Sequence, residues 1–442
     1  MMIYQITIIL LIFQLYLGRK DLKYAIVFLI ILTFLIPYII KFNLGGINLN
    51  VFNLSTLLFT LCSLKYLKKR NLQYVSLRKF TLFIIGYFLI TSIPTIEEYG
   101  IAFFIKNAIL TILEYYLIAY CFFYIKLQYK QIQLINISIV IVSIIVTIYA
   151  IINYITHINP YITYLSMLTD SIDMSATFQE EQRGILDGRV SSTFTHPLIL
   201  GQMMLLTFSY IVFQLKHKIN PILYTIICTL ITIPIILCGS RSTLFPLILV
   251  PCFYFYFSGI KKFIKYIILA IFLIPICINL LPKDYKLTAE AMIYIWDSSK
   301  ETKAGIQGSN KDMRKQQIID ASKIIDNNPL FGKGNGYVKE FGSKHPEMLG
   351  YEGLLLYTLV DFGFIGSMVF LFFYYFLYKY ILFKAHTKEE KVQATSLCMC
   401  YFICILLTGI AYSTFSFFFL LYFLTLNTFR LNHNFTIKHS LQ

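Results

Sequence analysis

The chain has 442 residues, of which 57% are apolar and only 14% charged, where soluble domains carry roughly 25% charged residues. Its net charge is +16, from 38 Lys and Arg against 22 Asp and Glu. This excludes a soluble globular protein, a disordered chain and a nucleic-acid-binding domain: at roughly 20 apolar residues per crossing the chain can fill about a dozen helical spans, and its basic residues fall between the apolar runs, where they signal topology.

Residues 1–17 are apolar but have no basic start and no small-residue cleavage site, and Arg19 and Lys20 follow them. They read as a first span with its N-terminus outside, not as a signal peptide. Further apolar runs predict spans near 22–40, 49–66, 80–95, 101–124, 133–155, 196–215, 221–238, 243–259, 263–281, 362–383, 394–411 and 414–429, about thirteen in all. No run alternates as a strand does, so the predicted fold is an all-α polytopic membrane protein. The connections alternate in charge. Arg19, Lys20 and Lys23 are basic, Asn43–Asn50 is neutral, Lys68-Lys69-Arg70 with Arg78-Lys79 is strongly basic, and Glu97-Glu98 is acidic. Lys126 and Lys130, Lys216 and Lys218, Lys261, Lys262 and Lys265, and Lys384, Lys388 and Lys391 continue the pattern. The positive-inside rule then puts the N-terminus outside, the C-terminus inside, and two long loops, 156–195 and 282–350, on the outer face.

The predicted organisation is an N-terminal group of helices over 1–155, a first outer loop over 156–195 and central helices over 196–281. A large outer loop with amphipathic helices follows over 282–361, then C-terminal helices and a cytoplasmic tail over 362–442. In the second loop, Lys311–Asp326 is amphipathic, with Ile318, Ile319, Ile324 and Ile325 near helical spacing. Asn328-Pro329 ends it, and Gly332, Gly334 and Gly336 follow. No internal repeat of the kind that builds many transporters is visible.

The nine cysteines all lie in or beside apolar runs. They form neither a disulfide framework nor a CxxC pair, and Cys398-Met399-Cys400 has the wrong spacing for zinc, so no metal and no soluble cofactor is expected.

Arginine is scarce beside lysine, which makes its placement informative. Arg183, Arg189, Arg241 and Arg314 all fall on the predicted outer face, against the positive-inside trend. Arg241 lies in Gly239-Ser240-Arg241-Ser242-Thr243, between two spans with almost no loop. A guanidinium there is costly to desolvate unless paired, and a phosphate matches its planar fork. Asn107 and Glu114 share one face of a span, with an internal Lys–Glu pair as the favoured reading. His345, Glu347 and Glu352 stand ahead of the 362–383 span, and one imidazole or carboxylate there could act as a general base.

Four segments give the chain a family resemblance. Arg189-Val190-Ser191-Ser192-Thr193-Phe194-Thr195-His196-Pro197 is similar to an Arg-x-x-Gly-Thr-Phe-x-x-Pro span start, and Ser240-Arg241-Ser242 to a Ser-Arg-Ser/Gly turn. Arg314 through Asn328-Pro329-Leu330-Phe331-Gly332-Lys333-Gly334-Asn335-Gly336 is similar to Arg…Asn-Pro-Leu-Phe-Gly-x-Gly-x-Gly, and Asp361-Phe362-Gly363-Phe364-Ile365-Gly366 to an acidic-x-Gly-Leu-Ile-Gly start of a late span. In kind and order these resemble the bacterial O-antigen polymerase (Wzy-type) and O-antigen ligase superfamily, over residues 183–366. Ser192 departs from the family glycine, and Glu352-Gly353 stands where ligase members carry His-Asn, which favours a polymerase.

The resemblance implies a GT-C-like bundle in the bacterial inner membrane, working on its outer, periplasmic face. It implies polyprenyl-pyrophosphate-linked glycans as donor and acceptor, with membrane lipids and a chain-length regulator protein as partners. Arg189, Arg241, Arg314 and Arg183 would bind the pyrophosphate in place of a metal. Glu352 or His345 would take the proton of the attacking hydroxyl, through an oxocarbenium-like state and with inversion. The alternatives are a ligase that moves finished glycan onto a lipid or protein acceptor and, in a different class, a flippase for the same lipid-linked oligosaccharide.

The charge alternation makes a testable statement about topology. Cysteines placed at Ser309 and Ser440 should react differently with an impermeant thiol reagent in intact spheroplasts, with 309 labelled and 440 protected; the reverse pattern would refute the assignment.

Overall fold

The computed structural model describes residues 2–44, 47–68, 74–169, 178–181, 186, 188–261, 263–265, 311–326, 328–344, 351, 353–410 and 413–440, with isolated positions at 268, 279 and 286. The described chain is predominantly α-helical, and its apolar helices make it a multi-pass membrane protein. Seven described helices are long and apolar enough to span: Met2–Lys20, Ile101–Phe122, Tyr129–Thr156, Pro197–Leu215, Leu354–Lys384, Lys388–Thr408 and Thr414–Asn434. Leu22–Leu35, Val51–Tyr66, Pro221–Leu237 and Arg241–Phe257 are apolar but shorter. The run predicted at 80–95 is the helix Val75–Thr91. The run at 263–281 lies almost wholly outside the described residues.

The chain divides into two compact units. The first comprises Met1–Ile139, Lys315–His386 and Phe402–Gln442. It begins with α1 (Met2–Lys20), α2 (Leu22–Leu35) and α3 (Val51–Lys68), which pack on one another. Asp21 accepts the Lys23 N–H and so caps α2. Small and polar residues hold this trio, as close helix packing inside a membrane requires. A Cβ on Gly18 would lie 2.7 Å from the Ala25 Cβ and 2.8 Å from the Cys62 Sγ. The fully buried Gln14 donates to the carbonyls of Ala25 (3.2 Å) and Ser55 (3.0 Å) and accepts from the Ser55 hydroxyl (2.9 Å).

One connection expected to be a plain neutral loop is a two-stranded antiparallel hairpin, β1 (Lys41–Leu44) and β2 (Ile47–Asn50). The Asn43 amide donates to the facing Asn48 side chain at 3.0 Å. The strands are four residues each, too short for an alternation signal. The Gly45-Gly46 pair between them is a residue pair that tight hairpins favour, and it is the signal that could have revealed them.

The rest of this unit carries α4 (Val75–Thr91), α5 (Pro94–Tyr99) and α6 (Ile101–Thr111), which runs through a π-helical turn, Ile112–Tyr116, into α7 (Leu117–Phe122). Aromatic packing joins these to later helices. Phe80 lies 4.5 Å from Phe376, Phe88 4.5 Å from Phe362, and Phe122 stacks on Phe423 at 5.5 Å. The last helix, Thr414–Ser440, places Phe415, Phe417, Phe418, Phe419, Tyr422 and Phe423 in the core.

The second unit comprises Val140–Arg314 and Thr387–Tyr401. It contains most of α8 (Tyr129–Thr156), then α9 (Pro160–Leu168), α10 (Pro197–Leu215), α11 (Pro221–Leu237) and α12 (Arg241–Phe257). Asn159, His196 and Asn220 each precede a proline at the start of a helix and accept an N–H from its first turn. Proline at that position has no N–H to leave unsatisfied. Helix α10 is the most buried here, and a Cβ on Gly201 would meet the Cys238 Sγ at 2.7 Å and the Thr243 Cγ2 at 2.9 Å.

The amphipathic stretch of the long loop forms α13 (Lys311–Ile325), with its faces assigned differently from the sequence expectation. Ile318 and Ile319 are exposed, whereas Gln317 and Ala321 are buried and Ile324 and Ile325 pack against Tyr337 and Val360. The packed stripe runs at i, i+4 and i+7 from Gln317, which begins with a polar residue and so escaped an apolar count. After α13 come α14 (Tyr337–Lys344), α15 (Leu354–Lys384), α16 (Lys388–Thr408) and α17 (Thr414–Ser440).

Candidate functional site

The segments singled out in sequence meet in pairs, one pair within each unit. In the second unit the Arg189–His196 segment is built against the turn between α11 and α12. The Val190 N–H donates to the Leu237 carbonyl (3.1 Å), and the Arg189 N–H to the Phe178 carbonyl (2.9 Å). Arg189 is 8% exposed. Its Nε donates to the Cys238 carbonyl at 3.0 Å and its Nη1 pairs with Glu181 Oε2 at 3.0 Å, over the Phe178 ring. Two of its three nitrogens are therefore committed to holding the segment on the turn.

That turn is tight because Gly239 takes φ +62°, after which Ser240 leads directly into α12. The Ser240 and Ser242 hydroxyls lie 2.8 Å apart, and Thr243 donates to the Ser240 carbonyl at 2.9 Å. Arg241 is the first residue of α12 and is half-buried. A cation at a helix N-terminus opposes the partial positive charge there, at a cost of about 0.3–1 kcal/mol. An anion bound at this point would see both the helix start and the guanidinium.

Ser192 explains a departure noted in the sequence. Its φ of +53° is left-handed, the conformation glycine takes most readily. It is held there by its own hydroxyl, which donates to the Val146 carbonyl (2.8 Å), and by Asn159, whose amide donates to the Ser192 carbonyl (2.8 Å) and the Ser191 hydroxyl (3.1 Å). His196, just ahead of the α10 span, accepts the Leu198 N–H on Nδ1 at 3.0 Å and sets its ring edge-on to Phe178. Burial, then the Arg189 charge, pushes its imidazole down to about 4. It is thus neutral near pH 7, with the second ring nitrogen protonated.

In the first unit the glycine loop 328–336 closes on a break in α15. At Gly363, with φ +66° and ψ −169°, the backbone leaves the helix. The loop pairs with the opened chain: Lys333 N–H to Val360 O (2.9 Å), Gly334 N–H to Asp361 O (2.7 Å), Phe364 N–H to Pro329 O (2.8 Å) and Ile365 N–H to Leu330 O (3.1 Å). Asp361, fully buried, accepts the N–H groups of Gly336 and Val338, each at 2.9 Å, and the Tyr357 hydroxyl. The loop then reaches the helices before it. Asn335 donates its N–H to the Ser92 hydroxyl (3.3 Å) and its amide to the Thr111 hydroxyl (2.6 Å).

The geometry thus brings Arg189 onto the turn that carries Arg241. Arg314 lies on α13, half-buried. Arg183, His345 and Glu352 lie outside the described residues, as does Glu347. Sequence reasoning missed Glu181, the partner of Arg189, and Asn159, which braces Ser192. Asn-Pro ahead of an apolar run is a helix-start signal that would have flagged Asn159. Among the described residues no cluster of three or more His, Cys, Asp or Glu could hold a metal ion. No protein-family model matches the sequence, and no curated protein matches it.

Two outcomes follow from these junctions. At Gly332, φ +70°, a Cβ would lie 2.5 Å from the Gly363 nitrogen, and at Gly363 one would lie 2.4 Å from the Leu330 carbonyl carbon. Gly332→Ala and Gly363→Ala should each destabilise the detergent-purified protein by about 1–3 kcal/mol from backbone strain alone. Gly86→Ala, with open space around its Cβ, should be neutral or stabilising. Equal melting temperatures for all three would refute the clasp. Arg189→Lys retains the charge but loses the Nε bond to the Cys238 carbonyl, and should cost about 1.5–3 kcal/mol in the same assay; an unchanged midpoint would show that the arginine does not hold the turn.

Proposed function

We propose that this protein is a glycosyltransferase that polymerises polyprenyl-pyrophosphate-linked repeat units into an O-antigen- or capsule-type polysaccharide. The reading includes a GT-C-like bundle of about thirteen spans and action on the outer face of the bacterial inner membrane. One observation carries it: the four segments that resemble the O-antigen polymerase and ligase superfamily pack two by two. Arg189 is bonded to the turn bearing Arg241, and the 328–336 loop is bonded to the Asp361–Gly363 break. The left-handed φ of Ser192, at the place of the family glycine, supports the same reading.

The chemistry runs on this chain's own groups. Arg241, at the start of α12, lies where a pyrophosphate would meet both a guanidinium and the positive end of a helix, so developing charge on the leaving oxygen is neutralised without a metal. Arg189 sets the position of that turn. Arg314 and Arg183 are the further arginines for the anionic carrier. Glu352, or His345 as its rival, accepts the proton of the attacking hydroxyl, and displacement from the opposite face inverts the anomeric centre. The ligase is the second reading, because the same carrier, leaving group and arginines serve both reactions.

Deletion of the gene, with analysis of glycan length, separates the two. Single repeat units on the final acceptor mean a polymerase, and long chains left on the polyprenyl carrier mean a ligase. Complementation with Arg241→Lys should restore about a tenth or less of wild-type polymer at normal protein level, from loss of the bidentate fork. An unaltered glycan profile in the deletion strain would overturn both readings.

A further inference from the structure

The clasp accounts for Asp361 but not for Glu114, a second carboxylate set into the first unit. Glu114 lies in the π-helical turn of the Ile101–Phe122 span. An ionisable residue inside a span and a π-turn in a helix are each associated with function. Thr414–Phe419 packs behind the turn, where the Ser416 hydroxyl donates to the Glu114 carbonyl and Tyr115 meets Phe415 at 5.8 Å. The turn is thereby held at its backbone by the last helix, and the carboxylate meets its partners from α3 and the hairpin.

Those partners are asparagines. The Asn53 amide donates to Glu114 Oε1 at 3.3 Å, and the Asn50 side chain also hydrogen-bonds the carboxylate. Asn50 closes the hairpin opposite Lys41, and its Oδ1 accepts the Asn53 N–H at 2.8 Å. The internal Lys–Glu pair favoured from sequence is not formed with Lys106: among the described residues Glu114 makes no ion pair, and Lys339 and Lys41 act on it only through space. Asn53 is 1% exposed, yet its Oδ1 has no hydrogen-bond partner among the described residues. About two turns before Glu114 on its own span, the Asn107 Nδ2 is likewise without one among the described residues, under Gly336. Glu114 as a residue is only half-buried.

A buried polar group without a partner costs about 1–3 kcal/mol, and here an acceptor amide oxygen sits beside a carboxylate that lacks a cation. Both accept hydrogen bonds and neither has a full set of donors. Hydroxyl groups supply donors without bringing charge, and two adjacent hydroxyls on one ring can address a carboxylate and an amide oxygen together. A phosphate would be repelled by Glu114, and an ammonium would leave the amides no role.

We propose that Glu114 and Asn53, framed by the Asn50 end of the hairpin, form a subsite that binds the hydroxyls of a neutral sugar in the glycan substrate. The assignment rests on the glycosyltransferase reading. It gives the π-turn a purpose, since the inserted residue presents the carboxylate to the hairpin side while α6 and α7 keep their packing on either side.

The test uses the full-length protein in proteoliposomes with the host's lipid-linked repeat unit. Glu114→Gln keeps size and loses acceptor strength. It should raise KM about tenfold or more with an unchanged melting midpoint, and Glu114→Asp should recover part of the loss. Asn53→Ala should raise KM as well. Wild-type KM in both Glu114→Gln and Asn53→Ala, with an active wild-type protein, would overturn the subsite and leave the glycosyltransferase reading standing. An inactive wild-type protein would overturn both. Should the variants fail to fold, the wild-type protein decides: a hydrophobic carbodiimide should modify Glu114, and the delipidated repeat-unit oligosaccharide should protect it, whereas equal modification with and without oligosaccharide would overturn the proposal.

Discussion

A single buried carboxylate holds the most irregular part of the first unit together. Asp361 accepts two backbone N–H groups from the start of α14 while its own carbonyl accepts a third from Gly334. These bonds compensate for what the break at Gly363 removes. Helix bonds lost inside an apolar span leave groups that lipid cannot satisfy; here the 329–334 loop supplies partners on both sides of the break. Removing the carboxylate would strand the Gly336 and Val338 N–H groups together, so the loop, the break and α14 stand or fall as one. The close approach leaves no space for a Cβ at Gly332 or Gly363, and the loop sequence follows from that contact.

The second unit solves a similar problem with a cation. The α11–α12 turn has almost no loop, so the carbonyls that end α11 need donors from elsewhere. Val190 supplies one to Leu237 and Arg189 another to Cys238. The arginine in turn needs a counter-charge to be buried, and Glu181 provides it at 3.0 Å. An ion pair of this kind carries a desolvation penalty that offsets much of its Coulomb energy. Its contribution is therefore positional: it fixes where Arg241 and the start of α12 stand.

Much of this was legible in the sequence, unevenly. The apolar runs and their basic connections identified a helical membrane protein because the bilayer imposes length and hydropathy on each span. The segments around Arg189, Arg241, Gly332 and Asp361 were visible as motifs, since glycine, proline and scarce arginine stand out against an apolar background. What they pair with was not visible. Glu181, Asn159 and Thr111 belong to residue types common in loops and helix ends, and their roles come from contacts 8, 33 and 224 positions away, which no local pattern encodes. The hairpin escaped because four-residue strands give no period, and the packed face of α13 because it opens with Gln317. Of the residues read as bearing chemistry, Arg183, His345 and Glu352 fall outside the described residues, and the structure bears only on the arginines it describes.

Both units place their irregular backbone where the chain's few ionisable side chains lie, and the physics of the bilayer explains the coincidence. A helix interior satisfies its own polar groups and needs no charged residue; a break, a π-turn or a tight turn does not. Non-helical backbone at membrane depth persists only where protein buries it or where it lines a cavity. Asp361 and Arg189 exemplify the first case, each answered by backbone groups and one side chain and each fully or nearly enclosed. Glu114 differs: its turn is braced by Ser416, and its carboxylate meets the Asn53 amide, whose own oxygen has no partner among the described residues. The same accounting separates Asp361 and Arg189 from Glu114. Where the donors and acceptors of a buried group are all answered from within, the fold alone explains the residue, whereas an acceptor such as Asn53 Oδ1, unanswered among the described residues and set beside a carboxylate, has room for a donor from outside the fold.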